Sequence, residues 1–166
     1  SFYRFWAVEG LLGFWDGYSA NNNNFFVYHN PSTDKFHFVP WGGDCMFEKY
    51  SKLPVDRRAP LSVKTKGLVA HKLYQIPAAR ERYASTLKQI MATHWKEDAL
   101  LAETQRIESL VKGLIPPEQA SKVRFDGIRQ FIRNRRGDIQ QETANGMPVW
   151  AAKPQPPPML AMPGRS

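Results

Sequence analysis

Two aspartates and a run of asparagines are the residues of this chain best suited to chemistry. Asp16 stands at the head of a polar loop, WDGYSANNNN, that closes on Asn21, Asn22, Asn23 and Asn24. Two strand-like runs follow, Phe25–Tyr28 and Lys35–Pro40, and then Gly42-Gly43-Asp44. If the two runs pair as a hairpin, its ends lie side by side and Asn24 comes near Asp44. Asp16 begins the same loop and can face the same point. Two carboxylates and a carboxamide would then converge on a small volume. Hard divalent cations take such oxygen ligands, and magnesium combines few protein ligands with phosphate oxygens. A carboxylate beside the cation can receive a hydroxyl proton or orient the hydroxyl. The competing reading of the same residues is plain turn chemistry, because Asn, Asp and Gly favour turns through local hydrogen bonds or positive φ.

The elements that must position these groups can be read from periodicity. Phe2–Phe14 has Phe5, Val8, Leu11, Leu12 and Trp15 at helical intervals. His29-Asn30-Pro31-Ser32-Thr33-Asp34 is a turn-rich hairpin connection. Phe36, Phe38 and Pro40 alternate with His37 and Val39, the period of a strand. The adjacent Gly42 and Gly43 permit backbone shapes closed to branched residues. Residues 48–63 have no period and are expected to wander over the surface. Four helices are then expected. The first is Thr65–Gln75, with Leu68, Val69, Leu73 and Tyr74 inward. The second starts at Pro77 and runs to about His94, with Tyr83, Leu87, Ile90 and Met91 inward and Trp95 following on the same face. The third is Asp98–Leu114, with Leu100, Leu101, Ile107, Leu110, Val111 and Leu114 apolar. The last is Glu118 to about Glu142, with Val123, Phe125, Ile128, Phe131, Ile132 and Ile139. Pro116-Pro117 separates the last two. Six prolines mark 143–166 as a tail or linker that cannot build a core.

The order Asp, Asn, hairpin, Gly-Asp is that of a protein-kinase catalytic loop followed by its metal-binding loop. Residues 6–47, WAVEGLLGFWDGYSANNNNFFVYHNPSTDKFHFVPWGGDCMF, go further and resemble the core of the CotH kinase family, atypical protein kinases named after a spore coat protein. The resemblance is carried by Asn23-Asn24-Phe25-Phe26, Tyr28, Asn30-Pro31, Phe38-Val39-Pro40-Trp41 and Gly43-Asp44. Pro60-Leu61-Ser62, Tyr74 and Tyr83 extend it, so that it spans roughly residues 2–140. It implies an α+β fold: an atypical kinase-like C-terminal lobe, mostly helical, with a β-hairpin carrying the metal-binding loop, over residues 1–142. It implies phosphoryl transfer from ATP, with magnesium or manganese, to Ser or Thr hydroxyls of a protein substrate. Asp16 resembles the catalytic aspartate, and Asn24 and Asp44 resemble the metal ligands. A non-catalytic kinase-like scaffold of the cell or spore surface is the alternative.

Three departures from the pattern matter. The gap from Asp16 to Asn24 is longer than the protein-kinase signature allows. The loop therefore bulges, and Asn21, Asn22 or Asn23 stands as an alternative to Asn24. Cys45-Met46 follows Asp44 where kinases have Phe-Gly. No Gly-rich phosphate loop with its lysine precedes the helix. Ser1 leads directly into apolar helix without a signal-peptide pattern. The expectation is a chain that opens inside a domain, with an N-terminal lobe supplied by a longer parent and little activity without it. The envelope, the spore surface or secretion are the compartments the resemblance implies.

Composition narrows the rest. The chain has 166 residues, 42% hydrophobic and 13% aromatic, which suits one cored domain. One cysteine, Cys45, excludes an internal disulfide framework and a multi-cysteine zinc site. No apolar run is long enough to span a membrane. Residues 1–60 balance six basic against six acidic side chains, so the whole excess of +8 lies beyond residue 60. Lys122, Arg124, Arg129, Arg133, Arg135 and Arg136 read as a solvated helix face rather than a nucleic-acid patch. Arg57-Arg58 are candidates for touching substrate or phosphate. His29, His37, His71 and His94 sit in unrelated elements and do not form a zinc site. Cys45 reads as an incidental thiol, His37 as a strand residue and Trp41 as a loop anchor.

Overall fold

The computed structural model describes residues 1–50, 59–116, 119, 124–151 and 154. Among them the chain forms six helices and one hairpin: α1 (Phe2–Leu12), α2 (Tyr18–Asn21), β1 (Phe25–Asn30), β2 (Lys35–Pro40), α3 (Leu68–Tyr74), α4 (Pro77–Thr93), α5 (Glu97–Val111) and α6 (Phe125–Glu142). A short 3-10 turn covers Gly43–Cys45. The mixed α+β class, with a two-stranded antiparallel sheet, is as the sequence led us to expect. Arg57, Arg58, Lys122, Val123 and most of the proline-rich tail lie outside the described residues.

α1 is the central helix and packs along α4. Its buried face differs from the expected one. Trp6 is fully enclosed and Val8 is exposed. The indole explains the rotation, since burying the larger aromatic removes more apolar area from water than burying valine. Trp6 packs 4.2 Å from Tyr83 and 6.0 Å from Tyr74, and its Nε1 donates to Lys64 O at 2.7 Å. Gly10 makes room for α4, because a Cβ there would stand 2.9 Å from the Tyr83 hydroxyl.

α4 buries Tyr83, Leu87, Ile90 and Met91, with Trp95 just beyond its end, as the periodicity predicts. Pro77 occupies its first turn, where its missing N–H is harmless. In α3 the expected face is only half right. Tyr74 is buried and Leu73 packs on the core, but Leu68 and Val69 are exposed. In α5 only Leu100 and Leu101 pack on the core, Ile107 and Leu110 are exposed, and Leu114 is exposed beyond the end of the helix at Val111.

The segment before α3 contradicts the expected surface path. Ser62, Val63 and Thr65 are buried. A buried loop needs partners for its backbone. Here side chains supply them. Glu142 accepts from Leu61 N and Ser62 N at 2.7 and 2.6 Å. Tyr83 donates to Ser62 O at 2.6 Å, and Arg135 donates to Leu61 O at 2.9 Å. Where a linker was expected, residues 147–150 instead lie against the body. The Tyr74 hydroxyl donates to Pro148 O at 2.7 Å, and Met147 and Trp150 pack on the core.

Candidate functional site

The hairpin supplies the frame. β1 and β2 pair in antiparallel register from Phe25↔Pro40 to Asn30↔Lys35. Phe25 and Phe38 turn inward, where they meet Tyr18 at 4.6 and 5.0 Å, and Phe38 also meets Phe2 at 4.8 Å. This aromatic cluster fixes the hairpin base against α1. The base therefore holds both Asn24 and the Trp41–Asp44 loop, and Trp41 N donates to Asn24 O at 3.1 Å.

Asp16 is the hub of the polar loop. Its Oδ1 accepts from Asn21 Nδ2 at 2.7 Å and from Asn23 Nδ2 at 3.2 Å, and its Oδ2 accepts from Asn24 Nδ2 at 2.8 Å. The long gap between Asp16 and Asn24 is taken up by α2. One helical turn, followed by Asn22 and Asn24 at φ 53° and 50°, folds the chain back onto its own start. Asparagine enters the left-handed region more readily than most residues, which is what this path requires.

Asn24 differs from the other asparagines. Its carboxamide nitrogen is committed to Asp16, and its Oδ1 lies against Gly42. A Cβ at Gly42 would stand 3.1 Å from that oxygen, and Gly42 itself has φ 60°. Only glycine combines that conformation with that space. Two residues on, Asp44 is exposed in the 3-10 turn, with its Oδ2 3.8 Å from Cys45 Sγ. Burial first, and then the charges of Asp44 and Asp16, push the Cys45 thiol above its ordinary range. The Trp41 N–Asn24 O hydrogen bond keeps the two loops side by side. A thiol held protonated is a poor nucleophile.

The donor set suits a hard cation: carboxylate oxygens, one carboxamide oxygen and a glycine-lined recess beside it. Asn24 and Asp44 would hold such an ion. No cluster of three His, Cys, Asp or Glu that could hold a metal ion occurs among the described residues.

Several positioning residues were not legible in the sequence. Glu9 is 3% exposed and accepts from Tyr18 N at 2.9 Å and Ser19 N at 2.8 Å. It anchors the start of α2, and burial pushes its carboxyl up to about 7. Gly17 is required there, since a Cβ would stand 2.5 Å from Glu9 Oε1. Tyr18 ties the loop to α3, its hydroxyl accepting from Val69 N at 2.8 Å. The one available signal was Glu9 itself, a lone acid in an otherwise apolar stretch of α1.

The basic helix is only in part the solvated face that was expected: Arg124 and Arg133 are exposed, but three other arginines are engaged. Arg135 is 1% exposed and donates to Leu11 O at 3.0 Å, to Gly10 O and to Leu61 O. Arg136 pairs with Glu97 at 2.7 Å and caps Trp95 O, and Arg129 bridges Glu108 and Asp126. Trp41 is 54% exposed and stacks on Phe26 at 5.9 Å rather than entering the core. His29 pairs with Asp34 at 2.9 Å on the exposed hairpin tip.

An apolar helix thus leads into an Asp-centred loop, and a hairpin returns a Gly-Asp turn beside it. The family model for CotH kinase protein matches residues 1–139, and the chain belongs to this family. No curated protein matches the chain. No described helix is long and apolar enough to cross a membrane.

Proposed function

We propose that this chain is the metal- and substrate-bearing lobe of an ATP-dependent protein kinase that phosphorylates Ser or Thr hydroxyls. The observation that carries the reading is the path of Asn24. Its nitrogen reaches Asp16 at 2.8 Å while its oxygen faces the glycine of the Asp44 loop. Magnesium or manganese, when bound with ATP, would neutralise charge building on the phosphates. Asn24 and Asp44 supply its protein oxygens. Asp16, fixed in place by three carboxamides, orients the acceptor hydroxyl. Catalysis of this kind is chiefly positioning and electrostatic stabilisation.

The test uses the gene-encoded protein and labelled ATP. Asp44→Ala should abolish metal-dependent incorporation into protein. Asp16→Asn should lower kcat by about 10²- to 10⁴-fold, the ordinary worth of a positioned acid–base group. Full incorporation by Asp44→Ala removes the assignment.

One observation favours a second reading, a non-catalytic scaffold. The Asp16 carboxylate already has three donors and needs no cation to be satisfied. Calorimetry separates the two. Magnesium-dependent ATP binding supports the enzyme, and its absence supports the scaffold.

A further inference from the structure

A groove of about 660 Å³ starts at Asp44 and runs between the loop that follows it and one edge of α6. From the geometry we infer that this groove holds an extended segment of the protein substrate, seated by one apolar side chain next to the residue that is phosphorylated. The inference rests on the kinase reading above and names how that site would choose its substrate.

The groove is continuous with the candidate site, because Asp44 belongs to both. Its volume lies within the usual range for ligand clefts. Its floor is apolar, made by Phe47, Ile128 and Phe131, with Phe47 and Phe131 meeting edge to face at 5.8 Å. Its rim is polar. Gln130 and Asn134 are exposed and lie one turn apart on α6. Carboxamides both donate and accept, so they can match the alternating N–H and C=O groups of an extended backbone. The groove also carries charge, from Asp44, Arg124 and the Lys49–Asp138 ion pair at 2.8 Å, and this mix of apolar, carboxamide and charged groups of both signs suits a peptide.

The wall on the loop side is held in a costly conformation. Phe47 has φ 61°, a rare geometry for a bulky residue. It is kept there by Phe47 N donating to Leu12 O at 2.8 Å and by the ring contact with Phe131. Strain of this sort persists only where the surroundings over-determine it, and it gathers at binding sites. Holding Phe47 this way fixes the spacing between the Asp44 loop and α6.

Gly127 gives a clean way to close the groove. It lines the cleft, and a Cβ there would meet nothing nearer than Arg124 at 3.8 Å. Position 127 therefore has room for a Cβ, and Gly127→Leu adds apolar bulk at the groove lining. The probe is a positional-scanning library of Ser- and Thr-centred peptides, used with the gene-encoded protein. Phosphorylation of the library should show a preference for an apolar residue at one fixed offset from the acceptor. Gly127→Leu should raise the peptide KM at least tenfold and erase that preference, while the ATP Kd holds and the Tm does not fall. Gln130→Ala combined with Asn134→Ala should raise the peptide KM without changing the preference. Phosphorylation with an unchanged peptide KM in Gly127→Leu overturns the groove and leaves the kinase reading intact. If the wild type transfers no phosphate, binding of the same library on an array decides. Binding that Gly127→Leu blocks keeps the groove and ends the kinase reading, and no binding ends the groove.

Discussion

The polar loop depends on a carboxylate that never touches the candidate cation site. Glu9 holds the first two N–H groups of α2, so the loop that returns Asn24 to Asp16 begins from a buried side chain. Burial outweighs those two hydrogen bonds, and the folded carboxyl titrates at about 7 against 4.5 in the unfolded chain. The folded state therefore holds a proton that the unfolded state has lost between these values. Stability contributed by protonated Glu9 is complete below pH 4.5 and is lost as pH rises to 7, a fall of about 3 kcal/mol at most by linkage. Glu97 and Glu103 have pKa values lowered by Arg136 and Arg106, so their contributions change below that window. Denaturant midpoints measured at pH 5, 6 and 7 should fall with pH in the wild type. Glu9→Gln should be less stable at pH 5 and nearly flat across the same range. An equally steep fall in Glu9→Gln would show that another group titrates.

At the scale of elements, the Trp41–Cys45 loop is the most demanding, and Gly42 is its hinge. Gly42→Ala must accept a left-handed backbone and place a methyl against Asn24 Oδ1. The backbone cost alone is roughly 1–2 kcal/mol. The variant should lose Tm and bind magnesium with ATP more weakly, because the oxygen displaced is the one proposed to hold the ion. Gly137→Ala, in α6 with nothing within 4 Å, is the control and should gain about 0.5–1 kcal/mol. A Gly42→Ala variant that keeps its metal-dependent ATP affinity would separate Asn24 from the metal. Much of this element level was legible beforehand. The hairpin, the glycine break and the α4 face follow from periods of two and 3.6 and from turn residues. What was missed has a common physical origin. The faces of α1 and α3 were set by Trp6 and Tyr74 packing around Tyr83, a contact between distant segments that no local period encodes. The turn of α2 depends on Glu9, nine residues before Tyr18. The burial of Ser62 and Val63 depends on partners from α4 and α6.

Across the whole molecule, α1, the buried segment at Leu61 and α6 are joined through one side chain. Arg135 donates to carbonyls at Gly10, Leu11 and Leu61, and its guanidinium lies 5.0 Å from the Phe131 ring. Burial pulls it down to about 10, still well above neutral pH, so it remains a cation there. A buried charge is often replaceable by a hydrophobic group when its partners go with it. Here the partners are backbone carbonyls that stay behind. Arg135→Met would take this donor from the Leu11 and Leu61 carbonyls, while Gly10 O keeps the Gly13 N–H at 3.2 Å, at about 1–3 kcal/mol for each carbonyl that stays dry. Against this stands the charge's own desolvation, raised because Nη1 has no partner among the described residues. The net expected loss is about 3–5 kcal/mol, the usual range for breaking a buried charged network. Lysine cannot reach three carbonyls with one ammonium, so Arg135→Lys should recover only part of the loss. Thermal unfolding at pH 7 checks this, with a drop of roughly 2–4 °C per kcal/mol. The Gly10 and Leu11 carbonyls end α1 just before Asp16, so a further effect belongs to the site. In Arg135→Lys, ATP-dependent incorporation should fall together with Tm, and at temperatures where the variant is fully folded it should return toward wild type. A Tm within two degrees of wild type for Arg135→Met would mean that water replaces the guanidinium and that the three segments are held by apolar packing alone.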